Sequence, residues 1–392
     1  MVYGEPADRA DATAAASDHW SVSIEGLRGV AILLLVISHI GFMGLPTRLG
    51  GLASRVGRMG WFGTDLFLAI AGYLCAKSLM RREAHTVATW LQYLGARARR
   101  VLPSYFLFLL VYLYALPALW PHLLPRIPML YPYQSLTQAQ GPAAPYLLTA
   151  AADLFYAFSG TGIGAALEAL FAIGVGAQAT LLVSASMVFW RGRARLALLL
   201  GFVVLAHGTR LLLLAHPWPY VIYANPITRM EPFAWGALVA LCSSVPAALV
   251  QMRRWAPVVA WSGWAAVAVV SALTHSLDIH ATATKLLGYP LVAMSSAASV
   301  AAVTLRTRTP ELLRRLASLA PIVYAMYFFK LPWLSSLWGW ITPSRLSQPT
   351  QLVVLLLLAI AGLLGLSLTW YVAVERPLLN WLCPRRRASS GG

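Results

Sequence analysis

Residues 24–43 read IEGLRGVAILLLVISHIGFM, an aliphatic run that separates Arg28 near its start from His39 near its end. A helix of about 20 predominantly apolar residues crosses the hydrocarbon layer of a bilayer, which is roughly 30 Å thick. The stretch therefore predicts a membrane-spanning helix. Ionisable groups are costly inside a bilayer, so Arg28 and His39 are candidate functional residues.

The whole chain has the composition of a membrane protein. Of its 392 residues 59% are hydrophobic and 11% are charged, and the mean hydropathy is +0.68. Soluble domains carry about 25% charged residues. The net charge of +17 comes from short basic clusters between apolar stretches. That distribution is typical of cytoplasmic loops and argues against a nucleic-acid partner.

The predicted fold is an all-α, polytopic membrane helix bundle of about ten transmembrane helices. The predicted spans are residues 24–43, 61–80, 103–120, 165–189, 196–214, 230–249, 256–273, 286–304, 319–340 and 351–373. Arginines accumulate in alternate loops, so the positive-inside rule places both termini in the cytoplasm, although the first outside loop runs against it.

The predicted organisation consists of two tails, the membrane bundle between them and one long loop within the bundle. Residues 1–22 are predicted to be a disordered cytoplasmic tail, 23–378 the membrane-embedded bundle, and 379–392 a basic cytoplasmic tail. Residues 121–164, rich in proline and glycine, predict an outward-facing loop with a short interfacial helix. The three cysteines lack metal-ligand spacing, so no metal site and no disulfide framework are predicted.

The first two spans bring three ionisable residues into relation. Arg28 and His39 are 11 residues apart, which on a helix is three turns plus about 20°. Their side chains therefore share one face of the helix, about 16 Å apart along its axis. Asp65, near the outer end of the second span, is predicted at the depth of His39, where its carboxylate would fix the imidazole tautomer. The alternative is a histidine that only packs.

The later spans add four ionisable residues. Glu168, Arg229 and Glu231 are predicted in the same outer layer, and Lys330 lies near the middle of the ninth span. These residues are functional candidates because charges within a bilayer are rare. The open alternative is a structural ion-pair network, in which Lys330 neutralises one of the carboxylates.

These residues lie in motifs that resemble acyltransferase family 3, the bacterial membrane acyltransferases that modify surface glycans, lipids and some antibiotics. The matching segments are EGLRG at 25–29 with His39, GTDLFL at 63–68 with AGY at 71–73, RRVLPSY at 99–105, RME at 229–231 with GALVA at 236–240, and ERP at 375–377. Their order and spacing carry the resemblance over about residues 23–380.

Two segments depart from the family pattern. Where the family commonly has Trp-Ser-Leu-x-Val-Glu, residues 163–168 read IGAALE and retain only Glu168. Where it commonly has Ser-Tyr-Ser-x-Tyr-Leu-Trp-His-x-Pro, residues 323–332 read VYAMYFFKLP. Lys330 thus stands at a histidine position, and this chain is predicted to be a divergent member.

The resemblance implies transfer of a short acyl group, expected to be acetyl, from cytoplasmic acyl-coenzyme A to a hydroxyl of an envelope glycan, a glycolipid or a glycosylated specialised metabolite. His39 would be the general base or carry the acyl group, and Asp65 would orient it. Arg28 and a basic loop would bind the donor phosphates. The loop arginines are Arg97, Arg99 and Arg100.

The remaining assignments are less specific. Glu168 and Lys330 join the predicted catalytic set, and Arg229, Glu231 and Tyr327 are predicted to bind substrate. Lys330, Arg229 or the glycine-rich backbone of 159–164 would stabilise an oxyanion, and the sequence does not choose among them. The predicted location is the bacterial plasma membrane. The alternatives are a secondary transporter that uses the intramembrane charges, and an inactive scaffold.

Overall fold

The computed structural model describes residues 7–42, 59–82, 85–123, 140–159, 167–218, 220–273, 279, 281–306, 308–341 and 348–382. These residues form helices and no strand. The α-helices are α1 Ala7–Phe42, α2 Phe62–Met80, α3 Val87–Leu110, α4 Leu116–Leu123, α5 Ala144–Leu148, α6 Ala152–Phe158, α7 Phe171–Phe189, α8 Gly192–Leu213, α9 Pro226–Arg229, α10 Glu231–Cys242, α11 Pro246–Leu273, α12 Tyr289–Thr304, α13 Glu311–Leu316, α14 Val323–Ile341, α15 Gln348–Trp370 and α16 Arg376–Leu382. The predicted all-α class is confirmed.

Short 3₁₀ and π turns join several of these helices. The 3₁₀ turns are Met59–Trp61, Glu168–Leu170 and Ala317–Leu319, and the π turns are Val111–Ala115, Thr284–Gly288 and Tyr371–Glu375. Eight of the described helical stretches are long and apolar enough to cross a membrane. A ninth is present if Glu311–Leu319 and Val323–Leu337, which meet at a bend of 71°, form one span.

The count of eight or nine falls below the predicted ten at one place. The predicted span 230–249 contains α10, a helix of 12 residues, which reaches only about 18 Å. The chain turns at 243–245, and α11 then begins at Pro246. A proline suits the first turn of a helix because its missing N–H has no partner there. Hydropathy alone did not reveal this break.

Two predicted boundaries also differ. The backbone of α1 is helical from Ala7, so it includes most of the predicted disordered tail. The third span begins at Val87, where the Thr86 hydroxyl accepts a hydrogen bond from the Thr89 N–H at 3.2 Å and caps the helix. The predicted basic loop is therefore helical. The division into tails and bundle stays a prediction, and residues 383–392 lie outside the described part.

Helix α2 lies at the centre of the bundle and packs closely on two neighbours. A Cβ atom added at Gly60, just before α2, would collide with the Leu34 carbonyl oxygen of α1. One added at Gly72 would collide with the Phe233 carbonyl oxygen of α10. Glycine permits this backbone approach because it has no side chain. The close packing brings the polar residues of α1, α2 and α10 into one layer.

Candidate active site

A small cavity of about 50 Å³ lies between α1, α2 and α14. A water molecule needs roughly 10–15 Å³ measured this way, so the cavity is large enough for a few waters or a group of similar size. Its lining residues are Leu35, Ser38, His39, Trp61, Thr64, Ala169, Phe171, Tyr223, Tyr327 and Lys330. The cavity thus brings together two predicted catalytic residues, His39 and Lys330, and Tyr327, which is predicted to bind substrate.

His39 is oriented by its own helix. Its Nδ1 atom lies 2.5 Å from the Leu35 carbonyl oxygen, one turn earlier in α1. A carbonyl only accepts hydrogen bonds, so Nδ1 carries the proton and Nε2 of the neutral ring is the acceptor. The sequence predicted that Asp65 would fix this tautomer. In the structure the main-chain carbonyl oxygen of Leu35 fixes the tautomer instead.

Asp65 pairs instead with Arg229. The guanidinium Nη2 donates to the Asp65 Oδ2 at 2.8 Å, and both side chains are only 1% exposed. The same guanidinium lies 5.6 Å from the ring centre of Trp61, 5.4 Å from that of Tyr223 and 5.0 Å from that of Tyr289. Trp61 and Tyr223 line the cavity. The ion pair therefore lies behind the aromatic wall, outside the lining.

A second buried ion pair lies beside the first. Glu231 accepts a hydrogen bond from Arg210 Nη2, which also donates to the Thr228 carbonyl oxygen at 2.7 Å. Arg210 is 5.6 Å from the ring centre of Tyr289, so both arginines contact that ring. Arg210 was not among the site residues predicted from the sequence. The signal was present, because an arginine late in an apolar span meets the same criterion as Arg28.

Lys330 is almost completely buried and contacts Tyr327. Its Nζ donates to the Tyr327 carbonyl oxygen at 3.0 Å and lies 3.5 Å from the centre of the Tyr327 ring. The Tyr327 hydroxyl in turn donates to the Ala169 carbonyl oxygen. Among the described residues no carboxylate forms an ion pair with Lys330. The alternative in which Lys330 neutralises a carboxylate gains no support.

Glu168 stands next to the cavity without lining it. It begins the 3₁₀ turn that presents Ala169, and its carboxyl faces the phenol of Tyr156. Of the glycine-rich segment 159–164, only Ser159 lies within the described residues. The structure therefore describes no oxyanion contact from that backbone.

The predicted donor-binding arginines lie away from the cavity. Arg28 Nη1 donates to the Glu25 Oε1 at 2.6 Å, and 27% of the Arg28 side chain is exposed. Arg97 is half-buried, whereas Arg99 and Arg100 are exposed on α3. Arg28 is thus paired with a carboxylate of its own helix, and Arg99 Nε donates to the Gly95 carbonyl oxygen of α3 at 3.3 Å.

Packed side chains separate Arg28 from the cavity. Arg28 and His39 both belong to α1 and lie about 16 Å apart along its axis. Between them Ala31 and Ile32 are 0% exposed and Leu35 is 3% exposed. A donor arm that reaches His39 from the Arg28 end must therefore displace or pass these residues.

The described residues contain no group of three or more His, Cys, Asp or Glu side chains that could hold a metal ion. They offer an oriented imidazole and an amine on one small cavity within a bundle of membrane-crossing helices. These features make the cavity the candidate active site of a multi-pass membrane protein.

Comparison with known proteins assigns the family. A model of acyltransferase family 3, described as an acyltransferase domain, matches residues 21–373, nearly the whole chain. The chain belongs to this family, which confirms the resemblance seen in its motifs. It is a multi-pass membrane acyltransferase. No curated protein and no solved structure matches it.

Proposed function

We propose that the protein is an integral membrane O-acyltransferase of the bacterial plasma membrane. It moves a short acyl group, expected to be acetyl, from cytoplasmic acyl-coenzyme A to a hydroxyl of an envelope glycan, a glycolipid or a glycosylated specialised metabolite. The observation that carries this proposal is the state of His39. Its Nδ1 proton is held by the Leu35 carbonyl, so Nε2 is available at the cavity.

The proposed reaction uses His39 as a general base. Nε2 takes the proton of the acceptor hydroxyl while the hydroxyl oxygen attacks the thioester carbonyl carbon. The resulting tetrahedral intermediate collapses as the carbon–sulfur bond breaks. The imidazolium then returns its proton to the coenzyme A thiolate, so the products are an ester and a free thiol. Direct acylation of Nε2 is the open variant, and it needs the same tautomer.

The size of the cavity supports a short acyl group. Its volume of about 50 Å³ matches a few water-sized units, and its lining is largely aromatic and aliphatic. An acetyl group has three heavy atoms and one apolar methyl. A long fatty acyl chain would require the bundle to open well beyond the described arrangement.

The proposed roles of the other predicted residues follow from their contacts. Arg28 is partly exposed, 11 residues before His39 in α1, and a phosphate there would compete with Glu25 for its guanidinium. Asp65 and Arg229 act on the acceptor through the wall that contains Trp61 and Tyr223. Because Asp65 is already paired, it is a weak candidate for a proton relay, and this disfavours the transporter alternative.

Glu231 and Glu168 are proposed as supports of the same wall. Glu231 holds Arg210 against Tyr289, and Glu168 fixes the turn before Ala169. Neither lines the cavity. Arg97, Arg99 and Arg100 are proposed to attract the donor phosphates from the helix α3, because a cluster of like charge raises the local concentration of an anion.

The test is comparative mass spectrometry of envelope glycans, lipids and metabolites from cells with and without the gene. The expected result is a species heavier by one acetyl group only in cells with the gene. Complementation with His39→Ala should not restore it, since loss of a general base costs roughly 10²–10⁴-fold in rate. Normal acylation by a well-expressed His39→Ala variant would remove His39 from the chemistry.

A further inference from the structure

Ser38 is a buried cavity residue whose hydroxyl makes no hydrogen bond to any described residue. It precedes His39 in α1 and is 1% exposed, its Oγ is buried, and the residue lines the same cavity as His39. Serines inside helices commonly bond to the carbonyl one turn earlier. Ser186 and Ser295 do so here, to Leu182 and Leu291. Ser38 does not, so its donor remains for a group in the cavity.

Lys330 of α14 supplies a second donor to the same cavity. Its Nζ carries two hydrogens as a neutral amine and three when protonated, and the described structure uses the Tyr327 carbonyl as one acceptor and the Tyr327 ring as a neighbour. The Tyr327 hydroxyl is anchored on Ala169, which fixes the residue that holds the amine. At least one N–H of Lys330 is therefore available to a bound group.

The other predicted oxyanion donors have other partners or fall outside the described part. Arg229 binds Asp65 at 2.8 Å and does not line the cavity. The glycine-rich segment 159–164 is described only at Ser159. Ser296 also has a buried hydroxyl with no partner among the described residues, but it lies on α12, away from the cavity lining.

We propose that Lys330 Nζ and Ser38 Oγ together bind the oxygen of the acyl carbonyl and stabilise it as an oxyanion. This inference rests on the proposed function and deepens it. As the acceptor oxygen attacks, the carbonyl π electrons move to that oxygen, which takes hydrogen bonds from the amine and the hydroxyl. When the carbon–sulfur bond breaks, the double bond reforms and both donors are released unchanged. His39 alone carries the transferred proton.

This pair explains how the chain tolerates the departure at its family histidine position. A histidine there would present at most one N–H to the cavity, and the lysine, on a longer stem, keeps at least one N–H after its bond to the Tyr327 carbonyl. Preorganised donors of this kind act strongly because the cavity is small and mostly apolar, and removal of one typically costs about 10²–10³ in kcat.

The experiment uses the purified full-length protein in lipid nanodiscs with acetyl-coenzyme A as the probe. Release of free thiol reports acyl transfer to the acceptor found by mass spectrometry, or to water as the minimal acceptor. The variants are Lys330→Met, which keeps the stem and removes the donors, and Ser38→Ala. The matched controls are Lys77→Met on α2 and Ser296→Ala on α12, since neither residue lines the cavity.

We expect Lys330→Met to lower kcat by about 10²–10³-fold and Ser38→Ala by about tenfold or more. The Michaelis constant for acetyl-coenzyme A should change less than threefold in both, because the contact forms in the transition state. Both controls should keep the wild-type kcat. Gel filtration and thermal melting confirm that each variant is folded, and binding of a thioether analogue of the donor should be unchanged.

Two outcomes separate this inference from the proposed function. If wild-type protein releases no more thiol than His39→Ala, the proposed function fails and the oxyanion pair fails with it. If wild-type protein is active and both Lys330→Met and Ser38→Ala keep kcat within threefold, only the oxyanion pair is wrong. A large rise in the donor Michaelis constant with lost analogue binding would also overturn it, because the residues would then bind the ground state.

Discussion

Replacement of Asp65 by asparagine tests whether this carboxylate acts in catalysis or holds the bundle together. Asp65→Asn keeps the shape of the side chain and removes its charge. In the structure the charge serves Arg229 at 2.8 Å, and both side chains are 1% exposed. The variant therefore leaves a buried guanidinium without its carboxylate, while the tautomer of His39, set by Leu35, is unaffected.

The expected cost follows from this geometry. Removal of one partner from a buried ion pair typically destabilises a protein by about 3–5 kcal/mol. Three aromatic rings surround the guanidinium, and each cation–π contact is worth about 0.5–2 kcal/mol, which keeps the loss near the lower limit. We expect Asp65→Asn to lose about 3 kcal/mol. The double variant Asp65→Asn/Arg229→Gln, which removes both charges, should recover about 2 kcal/mol of this.

The assay combines unfolding of purified protein in mixed micelles with acyl transfer at a temperature where each variant is folded. Because the loss concerns stability, activity per folded molecule should fall less than tenfold in the single variant and recover with stability in the double variant. The reasoning is refuted if Asp65→Asn is as stable as wild type but loses about 10⁴-fold in kcat. A loss of that size is the effect of a carboxylate that sets the histidine tautomer.

Three further predictions concern donor binding, the membrane topology and the titration of Asp153 in α6. Arg28→Ala should raise the Michaelis constant for acyl-coenzyme A about tenfold, since a charge-assisted contact is worth roughly 1.5–3 kcal/mol. Arg28→Lys should lower it only part of the way back, because a lysine has no bidentate fork. Equal kinetics of Arg28→Lys and wild type would contradict a phosphate role. In a background without native cysteines, Val87→Cys, at an exposed position, should react with an impermeant reagent only after cells are opened, whereas Gly141→Cys should react in intact cells; the reverse pattern would invert the topology. Burial raises the pKa of Asp153 in α6 to about 7, whereas the pKa in the unfolded chain is about 4. Between these values the folded state holds a proton that the unfolded state has released. Stability should therefore fall as pH rises from about 4 to 7. Asp153→Asn should flatten that part of the pH profile of the melting temperature, and an unchanged slope would show that another group titrates.

The fold was largely predictable because a membrane-crossing helix is a local feature. Ten apolar segments were located in the sequence, and nine of them overlap helical stretches that could cross a membrane, if the bent pair Glu311–Leu319 and Val323–Leu337 counts as one. The one misjudged span, 230–249, failed because the turn at 243–245 contains two serines and a valine, which barely lower the hydropathy. A window average cannot distinguish a short helix that turns back from one that crosses.

The sequence predicted three of the residues that line the candidate site, but it did not predict which side chains contact each other there. His39, Tyr327 and Lys330 were singled out by charge and motif, and the structure places all three on one cavity. The predicted contact between Asp65 and His39 rested on equal depth in the membrane. Depth fixes position along a helix axis but not direction around it, and the Asp65 carboxylate meets Arg229 instead.

The residues that the sequence analysis missed are chemically ordinary. Ser38, Thr64 and Tyr223 line the cavity, yet hydroxyl-bearing residues are common in membrane helices and carry no signal alone. Ser38 becomes informative only when its missing hydrogen bond is known, which needs the positions of its neighbours. Motif comparison marks a departure such as Lys330 but cannot show which residue acts with it.

The packed segment of α1 between Arg28 and His39 has a consequence for the cell as a whole. Ala31 and Ile32 are completely buried along that face of the helix, and Leu35 borders the cavity at its end. An enzyme that takes its donor from one side and its acceptor from the other risks a leak of protons and ions, which would dissipate the membrane potential. Under the proposed donor path, these three side chains would close that route while the enzyme is empty. The donor arm would take their place when it enters, so the route would stay closed during catalysis as well.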